Sequence, residues 1–129
     1  MTETEMKYSS GRRVTGSVSR MFQAASGLFL IFFVGVHLYV AHIDFGHPIQ
    51  FFNQVIQNMH NPWWLAFFIV FVWVISYHAV NGLGGILKDL NMSHRAKNYL
   101  NYGLVALYFV TVIYGTILAI LVARIAIPA

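Results

Sequence analysis

Apolar and polar positions in this chain alternate on the scale of whole segments. Residues 21–43, 63–87 and 99–123 are three long apolar stretches without a single Asp, Glu, Lys or Arg. A helix needs about 20 such residues to cross the hydrocarbon core of a bilayer, so each stretch predicts a transmembrane helix. Their flanks agree. Arg20 precedes the first stretch, Asn61-Pro62-Trp63-Trp64 open the second, and Tyr99 and Tyr102 open the third. A proline at a helix start and an aromatic belt at headgroup level are the expected markers. The first stretch is too long for the apolar region of a signal peptide and lacks a small-residue cleavage site, so it reads as a retained helix.

A finer pattern appears between the first two stretches. Pro48 suits a first helical position, and Ile49, Phe52, Val55, Ile56 and Met59 then recur at helical spacing, with Gln50, Asn53, Gln54, Gln57 and Asn58 opposite. This predicts a short amphipathic helix over about residues 48–59, lying on the outer membrane face. It reads either as a cover for the bundle or as a lid over a buried cofactor or lipid-like substrate. The expected organisation is a cytoplasmic N-terminal segment, residues 1–19, followed by a three-helix transmembrane domain, residues 20–129.

Composition supports the same class. Of 129 residues 58% are apolar and 9% charged, and mean hydropathy is +0.64. A soluble domain carries about 25% charge, and one this small could not hide so much apolar surface. A soluble globular protein, a disordered tail and a nucleic-acid-binding module are excluded. Without cysteine the chain has no disulfide framework, no thiolate iron–sulfur site and no covalently attached c-type heme.

The net charge of +4 is topological. Lys7, Arg12, Arg13 and Arg20 precede the first helix, and Lys88, Arg95 and Lys97 lie between the second and third. The loop of residues 44–61 has no basic residue, and Arg124 alone follows the third helix. Seven against one places the N-terminus in the cytoplasm and the C-terminus outside.

The candidate chemistry is histidine. His37 and His78 are the ionisable residues well inside the hydrocarbon, where such groups are costly and usually functional. An intramembrane His is either an interhelical hydrogen-bonder or a ligand. Two of them in a chain this aromatic point to heme. Methionines 1, 6, 21, 59 and 92 lie near or beyond the membrane boundaries, so bis-histidine b-type ligation is the natural option. His42 lies at the outer boundary, and His47, His60 and His94 lie in loops as surface residues.

At about 100° per residue, Gly82, Gly85 and Asp89 fall within 40° of His78 on one helix face. That bare stripe reads either as helix packing or as room for a porphyrin edge. On the first helix, Ser26, Leu30, Phe33 and His37 share a face by the same count. Ser26 is placed to meet a polar headgroup or a quinone carbonyl, or to bond its own backbone. Depth separates the two histidines. Arg20 to His37 is about 25 Å of helix and Asp89 to His78 about 16 Å, a difference of roughly 9 Å. His37 and His78 are therefore not expected to share one iron, and each needs a ligand from another chain.

The segment HAVNGLGGILKD, residues 78–89, resembles the second-helix motif of the membrane anchor subunits of succinate:quinone oxidoreductase: His, three residues, Gly, six residues, Asp. His78, Gly82 and Asp89 match at that spacing, and Asn81-Gly82-Leu83 matches the NGL of D-type anchors. SGLFLIFFVGVHLY, with Ser26-Gly27 ten residues before His37, resembles their first helix. The resemblance covers most of residues 20–123. It implies an all-α membrane protein, whose three helices form part of a heme-binding bundle completed by a second anchor subunit. It also implies an iron–sulfur subunit and a flavoprotein that oxidises succinate, so the succinate site lies outside this chain.

The cofactor implied is heme b, one or two per complex, with quinone as electron acceptor. His78 becomes the ligand of the heme nearer the iron–sulfur subunit, His37 that of the farther one, and Gly82 lies beside the heme. Arg20, Ser26 and Asp89 are candidates for quinone contact. The chain departs from the pattern at Gly84, where the family often has Arg, and at Leu90, where it has Tyr or Trp. Gln23 and Ala24 stand where an Arg usually accompanies the Ser-Gly pair. The alternatives are an anchor of another membrane cytochrome b oxidoreductase, such as one for formate or hydrogen oxidation, and a non-redox helical membrane protein. The former usually has four or more helices.

Overall fold

The computed structural model describes residues 3–43 and 51–126, with side chains from residue 18 onward in those ranges. The order is α1 (Glu3–Leu38), a five-residue π-turn (Tyr39–Ile43), α2 (Phe52–His60), α3 (Pro62–Lys88) and α4 (His94–Ala123). Three helices are long and apolar enough to cross a membrane, over Val18–Ile43, Pro62–Lys88 and His94–Ala123. Each exceeds its apolar stretch, because a formed helix propagates more cheaply than it nucleates. α1 runs back to Glu3. α4 starts at His94, where Ser93 Oγ accepts the Ala96 N–H at 3.3 Å, a cap that satisfies an orphan donor of the first turn. α3 starts at Pro62 under the Asn61 side chain, which accepts the Trp63 N–H at 3.0 Å.

The amphipathic segment is helical from Phe52, later than the expected residue 48. Phe51 is extended, and its N–H donates to the Gln54 side chain at 2.8 Å, half of a capping box that fixes the start. Pro48 and Ile49 lie outside the described residues. Ile56 is fully buried and Phe52 is 64% exposed. α2 packs against both α3 and α4, so its apolar face rests on the ends of these two helices.

α3 is the central helix. It packs against α1 on one side and α4 on the other, and among the described residues α1 and α4 do not pack against each other. Both pairs are antiparallel: Ser19 meets Asn81 and His37 meets Phe68, while Gly84 meets Leu104 and Gly115 meets Val72. The core lies along α4, at Leu104, Val112 and Ala119, with Ile56 of α2. Three helices in a row leave two broad faces open. Ile31, Phe32, Val110 and Tyr114 are more than 60% exposed, as lipid-facing or partner-facing side chains must be in a chain taken alone.

Candidate functional site

The half of the α1–α3 contact nearer the C-terminal end of α3 is polar. Ser19, Gln23 and Ser26 recur at intervals of four and three on α1, and His78 and Asn81 at an interval of three on α3, so each set forms one stripe. Ser19 Oγ donates to Asn81 Oδ1 at 3.2 Å. Asn81 Nδ2 donates to Gln23 Oε1 at 2.8 Å. Gln23 Nε2 donates to the His78 carbonyl oxygen at 3.1 Å and lies 3.4 Å from His78 Nε2. Ser26 Oγ donates to the Gln23 carbonyl oxygen at 3.0 Å and lies 3.0 Å from His78 Nδ1. Ser26 is buried. A Cβ added at Gly27 would lie 3.2 Å from His78 Cε1, so glycine there lets the imidazole rest on the α1 backbone.

The half nearer the N-terminal end of α3 is aromatic. Phe33 stacks near Phe71, with centroids 6.1 Å apart, and lies 4.9 Å from Phe67. His37 stacks on Phe71 at 5.8 Å and meets Phe68 edge-on at 5.6 Å. Its Nδ1 is the one buried side-chain nitrogen or oxygen among the described residues without a hydrogen-bond partner. Buried polar atoms are normally paired, so an unpaired one calls for an explanation.

Ser26, Phe33 and His37 thus all face α3, as their shared helical face implied. His78 is level with Gln23 to Gly27 of α1, and His37 lies ten residues beyond Gly27, about 15 Å of helix. The separation exceeds the roughly 9 Å reckoned from the flanking charges, because Arg20 and Asp89 are not level: Ser19 meets Asn81, and Asp89, eight residues farther along α3, lies about 12 Å of helix beyond that point. The two histidines therefore stand at two levels of the bundle.

The stripe below His78 divides. A Cβ at Gly82 would lie 2.9 Å from Gln23 Nε2, whereas one at Gly85 would meet nothing within 4 Å. Asp89 is the exposed C-cap of α3, and Arg20 is exposed midway along α1, next to Ser19, which meets Asn81 about 12 Å of helix before Asp89. Gln23 and Asn81 are the site residues that sequence reading passed over as candidates. The signal was a polar stripe at helical spacing inside an apolar span.

A groove of about 460 Å³ runs along α1 beside His78, lined by Gly27, Leu30, Ile31, Val34, Gly35 and Leu38. A Cβ at Gly35 would meet nothing within 4 Å. The groove is apolar, open on one side and floored by two glycines. No group of three or more His, Cys, Asp or Glu gathers among the described residues, so the donor set is too small for a bare ion. An iron that arrives with four porphyrin nitrogens asks only for one imidazole from a chain and a flat apolar wall. His78 and this groove fit that requirement.

Residues 2–122 match the family described as succinate dehydrogenase/fumarate reductase transmembrane subunit. The succinate dehydrogenase hydrophobic membrane anchor subunit of Thermoplasma acidophilum is 57% identical over 129 residues, covering 99% of both chains. The protein of the same name from Archaeoglobus fulgidus is 31% identical over 88 residues, 68% of this chain and 74% of that one.

Proposed function

The chain belongs to the succinate dehydrogenase/fumarate reductase transmembrane subunit family, and from that premise we propose that it binds heme b and helps pass electrons from an iron–sulfur subunit to quinone. The observation that carries this reading is His78: an imidazole inside a membrane span, braced by α1 and beside an apolar groove. When bound, the heme supplies one-electron redox chemistry. The residues of this chain ligate and orient it and keep water away.

His78 is the inner iron ligand, and Gly82 leaves the heme a path along α3 once the flexible Gln23 amide moves. His37 is the ligand of a second, outer heme, which gives its buried Nδ1 environment a purpose. The second histidine for each heme would come from a second anchor subunit. Arg20, exposed midway along α1, and Asp89, exposed at the C-cap of α3, suit a quinone edge better than Ser26, whose hydroxyl is engaged by His78 and Gln23. A flavoprotein and the iron–sulfur subunit complete the complex on the basic, cytoplasmic side.

His78→Ala in the assembled complex should abolish the low-spin b signal of the inner heme, leaving it high-spin or lost. An intact bis-histidine spectrum removes His78 from the site. Topology is tested separately: a C-terminal reporter active only in the cytoplasm should stay silent, and its activity would reverse the orientation.

A further inference from the structure

The hydrogen bonds around His78 carry more than its position, because their donors and acceptors form a closed chain of assignments. The His78 carbonyl oxygen can only accept, so the Gln23 side chain must present its NH₂ to it, at 3.1 Å. The other end of that amide, Oε1, accepts from Asn81 Nδ2 at 2.8 Å, which agrees. The same NH₂ faces His78 Nε2 at 3.4 Å. An NH₂ offers only protons, so Nε2 is the ring nitrogen with the free lone pair. The ring proton is then on Nδ1, and Ser26 Oγ, 3.0 Å away, receives it. Ser26 is free to accept because its own proton goes to the Gln23 carbonyl oxygen at 3.0 Å.

We propose that Ser26 is the positioning residue for His78. It accepts the Nδ1 proton and so holds the imidazole as the tautomer whose Nε2 is the metal-binding nitrogen. The proposal rests on reading His78 as a heme ligand. A histidine ligand typically donates its other N–H to a neighbouring oxygen, which fixes tautomer and ring orientation and raises ligand basicity. Ser26 supplies that oxygen from α1, although the ligand is on α3. Gln23 plays a different part. Its amide stands near the lone pair and is carried on a flexible side chain, so it yields to an iron while Ser26 stays. Ser26 also borders a groove of about 350 Å³ formed with Phe22, Phe29, Trp73 and Tyr108, which leaves room for one more methyl group.

Two measurements test this. In the full-length chain with ¹⁵N-labelled histidine, nitrogen NMR should show His78 protonated on Nδ1, and Ser26→Ala should weaken that preference. In the assembled complex, transfer of heme b to apomyoglobin should be about 10–100-fold more favourable for Ser26→Ala, and Ser26→Thr, which keeps the hydroxyl, should restore retention. A wild-type ring protonated on Nε2 overturns the proposal, as does a Ser26→Ala protein unchanged in both measurements. Should His78→Ala leave the heme spectrum intact, the ligand reading falls, while the nitrogen signals still decide the tautomer.

Discussion

The two sides of α3 are built from different materials. Toward α4 the contact is a close fit of small against large. Leu104 fills the notch at Gly84, where a Cβ would come within 2.9 Å, and Val72 fills the one at Gly115, at 2.7 Å. Toward α1 the contact is a line of hydrogen bonds through Ser19, Gln23, Ser26, His78 and Asn81, followed by stacked rings around His37. Lipid is as apolar as leucine, so helices in a bilayer are held by packing and by polar contacts rather than by escape from water. A notch and its filler tolerate sliding toward lipid on either flank. A hydrogen-bonded stripe does not, because each buried group left unpaired costs free energy. The α4 side therefore supplies hold, and the α1 side supplies register: it fixes the depth and rotation at which the two histidines are presented.

The largest expected effect breaks the α1 side at its outer end. His37→Ala should lower the heme content of the assembled complex from two to one per flavin, counted by pyridine hemochrome, with the His78 signal intact. A ratio of one to one in both wild type and variant would make His37 a packing residue, and the aromatic half of the contact would then belong with the α4 side.

Next is Gln23→Leu, which removes the donor to the His78 carbonyl and the acceptor of Asn81. Interhelical bonds in membranes are worth about 0.6 kcal/mol on average and up to about 1.7. The loss should amount to about 1–3 kcal/mol in unfolding of the heme-free chain in mild detergent, where both bonds stand. An unchanged midpoint would mean that the polar line does not set register.

The same change at two glycines sharpens the contrast. Gly115→Ala drives a methyl into the stiff Val72 side chain. Overpacking costs about 1–3 kcal/mol, and alanine regains up to about 1 kcal/mol as helix former, so a net loss near 1 kcal/mol is expected, with no change in heme spectrum. Gly27→Ala meets His78 Cε1 at 3.2 Å, which asks the ring to move by a few tenths of an ångström. It should leave the unfolding midpoint nearly unchanged and shift the heme absorption. The opposite pairing of effects would reverse the roles assigned to the two sides.

The spans were legible in the sequence because a bilayer imposes a length, and residues 21–43, 63–87 and 99–123 meet it with no charge inside. That His37 and His78 stand at different levels was legible because helix rise is fixed, but the size of the offset was not, because Arg20 and Asp89, reckoned as level, are not. The partners of His78 were not. Ser26 was noticed for its face, but whether that face meets His78, lipid or a quinone depends on the rotation of α1 about its axis, which no single-helix count contains. Gln23 was read only as a departure from a family pattern, although it forms a polar stripe with Ser19 and Ser26 at helical spacing. The start of α2 moved from residue 48 to Phe52 because the Gln54 side chain holds Phe51 extended, a local bond that apolar spacing does not register.

The smallest expected effect concerns the polar contact that breaks the rule on the α4 side. Trp73 Nε1–H donates to Thr116 Oγ1 at 3.1 Å, an interhelical hydrogen bond within the close-packed contact. Trp73 is 49% exposed, so the bond lies at the rim rather than within the fit. Its acceptor also has an alternative. Thr111, one and a half turns earlier on α4, donates to its own helix, to the Leu107 and Tyr108 carbonyl oxygens at 2.9 Å each. Thr116 can turn to its own backbone in the same way once the indole is gone. Trp73→Phe should therefore cost no more than about 0.6 kcal/mol, several-fold less than Gln23→Leu, whose partner Asn81 Nδ2 loses its acceptor. Comparing the two variants in one detergent by thermal unfolding makes the measurement internal. A Trp73→Phe loss equal to that of Gln23→Leu would show that α3 is held by hydrogen bonds on both sides, and that the notches at Gly84 and Gly115 are fillers rather than the hold.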